Sequence, residues 1–566
     1  MGERIFYIQR KYGSYGDALA AVGLARLLSI LFHRNDIQIE EYPGYFSCFL
    51  PEEIDYEQMD IEELKRNPGF EYVQFTEKEE EAPVQAFKYY RQQELYKAER
   101  ERKKSKVNLS DNAEEAQLPP DPIYLLMQSL RILQALGTSN KLYKEIQAVP
   151  LNDLKHTIIE RLNLYSSLAQ QGIDKEVFKP SVSAVQAYNP VIGKGVNKAK
   201  AQSISVGSIP AKLVDWFEEW LRFIGSNLIL NAYPIWDDLK FLTLVPNNVT
   251  VSGLINLHES FLKQRDYTSC KNDILVIFNT VKFLVENSEM FIRITTEDNF
   301  LLSMMDITPK TIVSGLSGAY FKSLGSGRVL INNSFISFPD WFPINNEKDA
   351  DLWINVIQDH KNVLGKLDET KNEEMQLLNT YRDFLSTSDW KKFFEYLSSY
   401  AGLYLNQKER KKYFARHNFE IFKGVCQRVG QIYKEIISNK GFQEIAKAMR
   451  EATVNEQYRK TQGKQQFEIQ YGLFQEIKRK AKFEDQVISV INDFISEYNR
   501  ETARKMEQKG ENYKGRLLVS LDAFNDFISL FDQFPKKHET IALMLVAASS
   551  CYDGKLKKLK EELRND

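Results

Sequence analysis

Leu24, Leu27, Leu28 and Leu31 stand at i, i+3, i+4 and i+7 within DALAAVGLARLLSILF (17–32), the period of a helix. The run predicts a helix capped at Asp17 and, being apolar on most sides, buried. Residues 37–50 carry β-branched and aromatic side chains around Pro43-Gly44, which predicts strand, turn, strand. Residues 52–81 are acid-rich and read as surface, with one short strand-like run, YVQF, at 72–75. Helical spacing returns over 123–168, with Leu126, Leu130, Leu133 and Leu136 on one face and a second signal over 151–164. In VDWFEEWLRF (214–223), Trp216 and Trp220 are four residues apart beside Phe217, Leu221 and Phe223, a pattern met more often in a core than on a base-stacking platform. Further on, MFIRI (290–294), NFLLSMM (299–305) and RVLINNSFISF (328–338) read as strands, with Gly325 and Gly327 in a turn.

From about Trp390 the strand signals stop. Phe442, Ile445, Ala446 and Met449 make one helical stripe. Val487, Val490, Ile491, Phe494, Ile495 and Tyr498 make a second, and Leu521, Phe524, Phe527, Ile528 and Phe531 a third. Each leaves a polar face, so these helices are expected to pack as a bundle. The expected fold class is α+β: an irregular mixed body over 1–389, then an all-α bundle over 390–566. No repeat period is visible.

Composition narrows this picture only a little. The 566 residues give room for about three or four domains. A net charge of -2 argues against a uniformly basic protein but not against local basic tracks. Cys48, Cys270, Cys426 and Cys551 are scattered without a CxxC pair, so neither a disulfide scaffold nor a zinc ribbon is expected, and four isolated thiols suit a reducing cytoplasm. The start, MGERIFYIQRKYGS, lacks the basic-then-apolar order of a signal peptide. No stretch is expected to approach the ~20 apolar residues that span a bilayer, and the most apolar run near the end, 541–548, is far too short.

Signatures of catalysis are missing. The GKG at 193–195 places Gly where a P-loop needs Ser or Thr, no GxGxxG follows a strand, and there is no GxSxG elbow. His33, His156, His258, His360, His417 and His538 are scattered and none lies in HExxH. Asp359 and His360 are neighbours without a nucleophile motif, and Asp237-Asp238 reads as a solvated turn. The expectation is a protein without enzymatic activity, cofactor or metal.

Three basic tracks remain. The first is YNPVIGKGVNKAK (188–200), with Asn189, Pro190, Gly193 and Gly195 suited to sharp turns and Lys194, Lys198 and Lys200 supplying charge; no acidic residue occurs from 181 to 214. The second is KAERERKKSK (97–106), a solvated helix end and linker or else a basic arm. The third runs from 449 to 482, with eight basic residues against four acidic ones. It holds Arg459, Lys460 and Lys464 near Gly463, then Lys478, Arg479, Lys480 and Lys482 ending a helix, with Gln462, Gln465, Gln466 and Gln470 as amide donors. Lys and Arg interleaved with amides suit a phosphate backbone, although a solvated helix face would read the same.

Three stretches carry a family resemblance: GDALAAVGLARLL (16–28); NPVIGKGVNKAKA (189–201) with WFEEWLRFIG (216–225); and REATVNEQY (450–458) through IQYGLFQEIKRKA (469–481) to FISEYNRETARK (494–505). In these the chain resembles the large subunit of type I CRISPR interference complexes (Cascade), most like the I-B type. The resemblance implies a non-catalytic subunit of a crRNA-guided surveillance complex. Such a subunit helps to recognise the protospacer-adjacent motif on double-stranded target DNA and to open the duplex, in antiviral defence or in guided transposition. Its implied partners are crRNA, target DNA, the backbone, handle-binding and small subunits, and a recruited helicase-nuclease or transposition protein, with no membrane. The C-terminal bundle would resemble the small subunit and line the displaced strand's path, through Arg459, Lys460, Lys464, Lys478, Arg479, Lys480 and Lys482. Met449 and Met375 are candidate internal starts for a separate copy of that bundle. Guide pairing supplies sequence specificity in such machines, and protein reads a short motif and the backbone. In the 188–200 loop, Asn189, Lys194, Asn197, Lys198 and Lys200 would be the DNA donors, with Gly193 and Gly195 permitting close backbone approach. The alternative expectation is a helical scaffold that docks protein partners and touches no nucleic acid.

Overall fold

The computed structural model describes residues 5–75, 83, 85–105, 119–169, 176–180, 182, 185–188, 215–262, 269, 271–287, 307–325, 328–409, 414–455, 469–513 and 515–553. The fold is mixed α+β, as the pattern predicts, and among the described residues the strands lie in the N-terminal part while helices dominate the rest. Two units divide the chain, Met1–Phe338 and Pro339–Asp566. The division therefore precedes the expected change at 389/390.

In the first unit, β1 (Ile5–Gln9) leads into α1 (Tyr15–Phe32). The Ser14 side chain accepts the Gly16 amide and caps the helix, a role the sequence pattern assigns to Asp17. Asp17 lies buried in the first turn and accepts the Tyr12 amide at 3.2 Å. Among the described residues α1 is the one helix long and apolar enough to cross a membrane, contrary to the expectation that no stretch comes close; it is 89% buried within its unit, as a core helix is. Leu19, Leu24, Leu27, Leu28 and Leu31 are fully buried, each worth roughly 1.5–3 kcal/mol of transfer free energy.

The hairpin expected at Pro43-Gly44 forms from β2 (Gln38–Glu41) and β3 (Tyr45–Phe49). With β1 and the later β8 (Asn248–Thr250) it makes an antiparallel sheet of order β1-β3-β2-β8. A short helix, α2 (Ile61–Arg66), follows, and β4 (Val73–Gln74) pairs in parallel with β5 (Phe87–Lys88). Helix α3 (Tyr89–Ser105) covers most of the second basic track. Then α4 (Tyr124–Ile132), α5 (Leu136–Ala148) and α6 (Leu151–Tyr165) follow; Gln134, at φ 60°, breaks the single Leu126-to-Leu136 face that the spacing predicts.

Helix α7 (Trp216–Ile229) runs directly into β6 (Leu230–Ile235), which turns at Trp236 into β7 (Asp238–Pro246). Helices α8 (Val251–Leu262), α9 (Asn272–Glu286) and α10 (Pro309–Ile312) precede β9 (Val313–Ser323) and β10 (Arg328–Ser337). These strands form the second antiparallel sheet, order β10-β9-β7-β6. The expected strand at 328–338 is thus β10, and Gly325 takes the turn at φ 72°; the runs at 290–294 and 299–305 lie outside the described residues.

Helices α1 and α7 cross with their backbones in contact. A Cβ added to Gly23 would lie 2.8 Å from Leu221 Cα, and one added to Gly225 would lie 3.0 Å from Leu19 Cα, with carbonyl oxygens nearer still. Only glycine permits that approach.

The second unit holds α11 (Glu347–Leu364), α12 (Asn372–Thr387), α13 (Trp390–Glu409), α14 (Phe419–Cys426), α15 (Gln431–Ser438), α16 (Lys440–Ala452), α17 (Leu473–Lys480), α18 (Glu484–Lys509), α19 (Leu521–Gln533) and α20 (His538–Ser550). It starts before Trp390 because α11 and α12 belong to the same aromatic core: Trp341 stacks on Trp353 at 4.7 Å, and Phe384 meets Trp390 at 5.0 Å and Phe393 at 4.9 Å. Helix α20, buried from Ile541 to Ser550, runs among the others. The stripes on α16 and α18 are buried as expected. On α19 the packed set is Ala523, Phe527, Leu530 and Phe531, whereas Leu521 is 73% exposed. Met449 is buried within α16 and Met375 lies in α12, so a start at either would cut a helix.

Candidate nucleic-acid interface

Asn189, Gly193, Lys194, Gly195, Asn197, Lys198 and Lys200 lie outside the described residues, as do Arg459, Lys460 and Lys464. The nearest described residues, 185–188 on one side and Asp215 on the other, are held by several contacts. Tyr188 is buried and meets Phe223 of α7 edge-on at 5.0 Å. The Tyr15 hydroxyl donates to Ala187 O at 2.6 Å, and the Val185 amide donates to Glu219 Oε2 at 3.1 Å. On the other flank Asp215 caps α7 by accepting the Phe217 and Glu218 amides. Buried Arg161 of α6 pairs with both Asp215, at 2.9 Å, and Glu176. Trp216 Nε1 donates to Glu176 Oε2 at 3.1 Å.

Behind these contacts lies a buried ionic cluster. Arg222 donates to Glu219 at 2.5 Å, to Glu218 at 3.0 Å and to Gly16 O at 3.2 Å, and Lys11 donates to Glu218 at 2.6 Å. Burial would drive the Glu218 carboxyl up, but Arg222 and Lys11 outweigh it and hold the group below its usual range. At Glu219 burial prevails over Arg222, and the carboxyl sits above that range. Burial pushes Asp17 up to about 6, against Arg222 and the Tyr12, Ser14 and Gly13 amides. The cluster ties α1 to α7 and to residues 185–188; its charges are spent on one another, which is a structural arrangement.

The second track is a mixed-charge helix. In α3, exposed Lys97, Arg100 and Arg102 alternate with Glu94, Glu99 and Glu101, which offsets the charge of that part of the track but not of Lys103, Lys104 and Lys106 after it. Asp238 accepts the Tyr320 hydroxyl at 2.8 Å and the Ser323 amide at 2.7 Å, so it holds the sheet together and is not the solvated turn residue the sequence predicts.

The third track is divided. Lys480 pairs with Glu476 at 2.9 Å within α17, and Lys478 donates to Ser399 Oγ of α13 at 2.7 Å. Arg479 and Lys482 are exposed. His538 Nε2 lies 3.0 Å from Lys482 O, which brings the 534–538 turn, with exposed Lys536 and Lys537, beside the end of α17. Sequence reasoning missed Lys536 and Lys537, because a long stretch of chain separates them from Arg479 and only packing joins them. A helix C-terminus also favours cations by its dipole, so part of this cluster serves α17 itself.

No family model matches the chain, and a search of curated proteins returns no match.

Proposed function

We propose that this chain is the DNA-recognition subunit of a crRNA-guided type I CRISPR surveillance complex, working without catalysis of its own. The observation that supports it best is the exposed cluster of Arg479, Lys482, Lys536 and Lys537 at the end of α17. Arg479 and Lys482 lie within the 450–505 stretch that resembles the family's C-terminal region, Lys536 and Lys537 are brought beside it by packing, and four cations on helix ends and a turn suit the phosphates of a displaced strand. The 188–200 loop, which follows the held residues 185–188, is the element assigned to the adjacent motif.

Two sets of variants, in a complex reconstituted with guide RNA, test the reading. Alanine at Lys194, Asn197 and Lys198 lowers affinity for duplexes bearing the adjacent motif; unchanged affinity removes the loop from the account. Glutamate at Arg479, Lys482, Lys536 and Lys537 weakens binding to strand-opened DNA alike for every target; an effect confined to one target refutes a backbone role.

One observation favours a second reading, a helical scaffold for protein partners. Leu517, Leu518 and Leu521 are 69%, 47% and 73% exposed at the start of α19, more apolar surface than scattered single residues account for. Aspartate at Leu518 and Leu521 would then abolish complex assembly and leave nucleic-acid affinity of the isolated chain unaltered.

A further inference from the structure

Three metal-ligating side chains from two parts of the sequence converge in the second unit. Asp359 and His360 are consecutive on α11, and His417 precedes α14. One carboxylate oxygen and one nitrogen from each ring lie within 4.8 Å of one another, and all three residues are buried. Their surroundings fix each group. Asp359 Oδ1 accepts the Asn418 amide at 3.0 Å, and Oδ2 lies 2.7 Å from His417 Nδ1. His360 Nδ1 lies 2.6 Å from the Tyr381 hydroxyl, and the Tyr396 hydroxyl lies 3.4 Å from His417 Nε2. The two imidazoles meet edge-to-face at 4.9 Å, and Phe393 stacks on His360 at 5.0 Å.

A carboxylate in such apolar walls needs a cation close by, since an isolated buried charge is strongly unfavourable. Two imidazoles and one carboxylate are the donor set of a borderline transition metal, not of magnesium or calcium, which demand oxygen. Zinc bonds to nitrogen and oxygen measure ~2.0–2.2 Å, so tetrahedral ligands stand about 3.3 Å apart. Side-chain shifts on the order of 1 Å would bring these groups to that spacing. The hydrogen-bonded hydroxyl of Tyr381 behind His360 is the kind of outer partner that orients ligating histidines.

We propose that Asp359, His360 and His417 bind one divalent transition-metal ion of the zinc class, cross-linking α11 to the segment that enters α14. The aromatic enclosure by Phe393, Tyr381 and Tyr396 makes it a structural site. With His417 Nδ1 facing Asp359, the Tyr396 hydroxyl at 3.4 Å from Nε2 is the outer partner of that ring.

The test uses the full chain, expressed without a metal-affinity tag. Elemental analysis after dialysis should find about one zinc per chain, as a structural site retains its ion. Stripping with dipicolinate should lower the thermal midpoint and added Zn²⁺ restore it, and Co²⁺ in its place should give the visible bands of a tetrahedral complex. Tyr381→Phe, which leaves the three ligands in place, should weaken zinc affinity by ~10–100-fold, and Asp359→Asn or His417→Asn by more. Wild-type protein that is metal-free, melts identically with and without Zn²⁺ and gives no Co²⁺ bands overturns the proposal, leaving a hydrogen-bonded Asp–His pair. Zinc retained undiminished by folded Asp359→Asn and His417→Asn overturns it equally, because the ion then sits elsewhere.

Discussion

The crossing of α1 and α7 is the contact on which the hold on residues 185–188 depends, and one methyl group tests it. In Gly225→Ala the new Cβ would stand 2.0 Å from Leu19 O and 3.0 Å from Leu19 Cα, whereas carbon atoms pack best at ~3.5–4.0 Å from one another. The helices must part by at least about 1 Å, and a gap of that size forfeits roughly half of each interhelical dispersion well. The obstacle is backbone, so no rotamer change relieves it, and the cost belongs at the upper end of the ~1–3 kcal/mol for overpacking. Against this, Ala gains up to about 1 kcal/mol over Gly in a helix. The net loss is about 2 kcal/mol, or roughly 30-fold in the opening equilibrium. Native-state amide exchange reads it directly: α1 and α7 amides should exchange about 30-fold faster in the variant. Gly137→Ala is the internal control. It also lies in a helix, but nothing stands within 4 Å of its new Cβ, so α5 should be unchanged or slightly stabilised. Gly225→Ala with wild-type exchange in α1 and α7 would refute the contact.

Other consequences follow from the same unit and from the basic cluster. Arg222→Met leaves buried Glu219 without its cation and Glu218 with Lys11 alone, and should cost ~3–5 kcal/mol, the loss seen when one partner of a buried pair is removed; a midpoint of thermal unfolding close to wild type would contradict it. Asp17 has a folded pKa raised to about 6 from 3.8, so the folded chain holds its proton more tightly. Its contribution is therefore fully present below about pH 4 and is lost as pH rises through about 6, up to roughly 3 kcal/mol. Asp17→Asn should thus gain stability relative to wild type between pH 4 and pH 7, and a pH-independent difference would refute the shift. Removing Arg479, Lys482, Lys536 and Lys537 together should flatten the logarithmic salt dependence of single-strand binding by up to about 3, at ~0.7 per phosphate contact; an unaltered slope would exclude those four.

Where local physics dominates, the sequence was readable. The Leu24–Leu27–Leu28–Leu31 period and the Pro43-Gly44 turn each correspond to an observed element, because side-chain spacing and turn chemistry act within a few residues. Strands β6 and β7 escaped notice: LNAYPI and DLKFLTLVP are buried on both faces and so lack alternation, and Trp236 takes the turn at φ 58° where Gly or Asn would have signalled it. In the third C-terminal stripe Phe527 and Phe531 are buried and Phe524 and Ile528 half-buried, whereas Leu521 matches the period but opens the helix in an exposed position. Sites depend on tertiary proximity. Nothing in the spacing of His360 and His417, or of Arg479 and Lys536, foretells that packing joins them.

The central proposal is that the chain belongs to a complex guided by RNA. Its most direct test is to purify it with its neighbours from the native host under mild salt and to sequence the bound RNA. The account predicts a discrete set of short RNAs that share one constant repeat-derived end and differ in the remainder. Recovery of no RNA, or of fragments that mirror total cellular RNA, would contradict it.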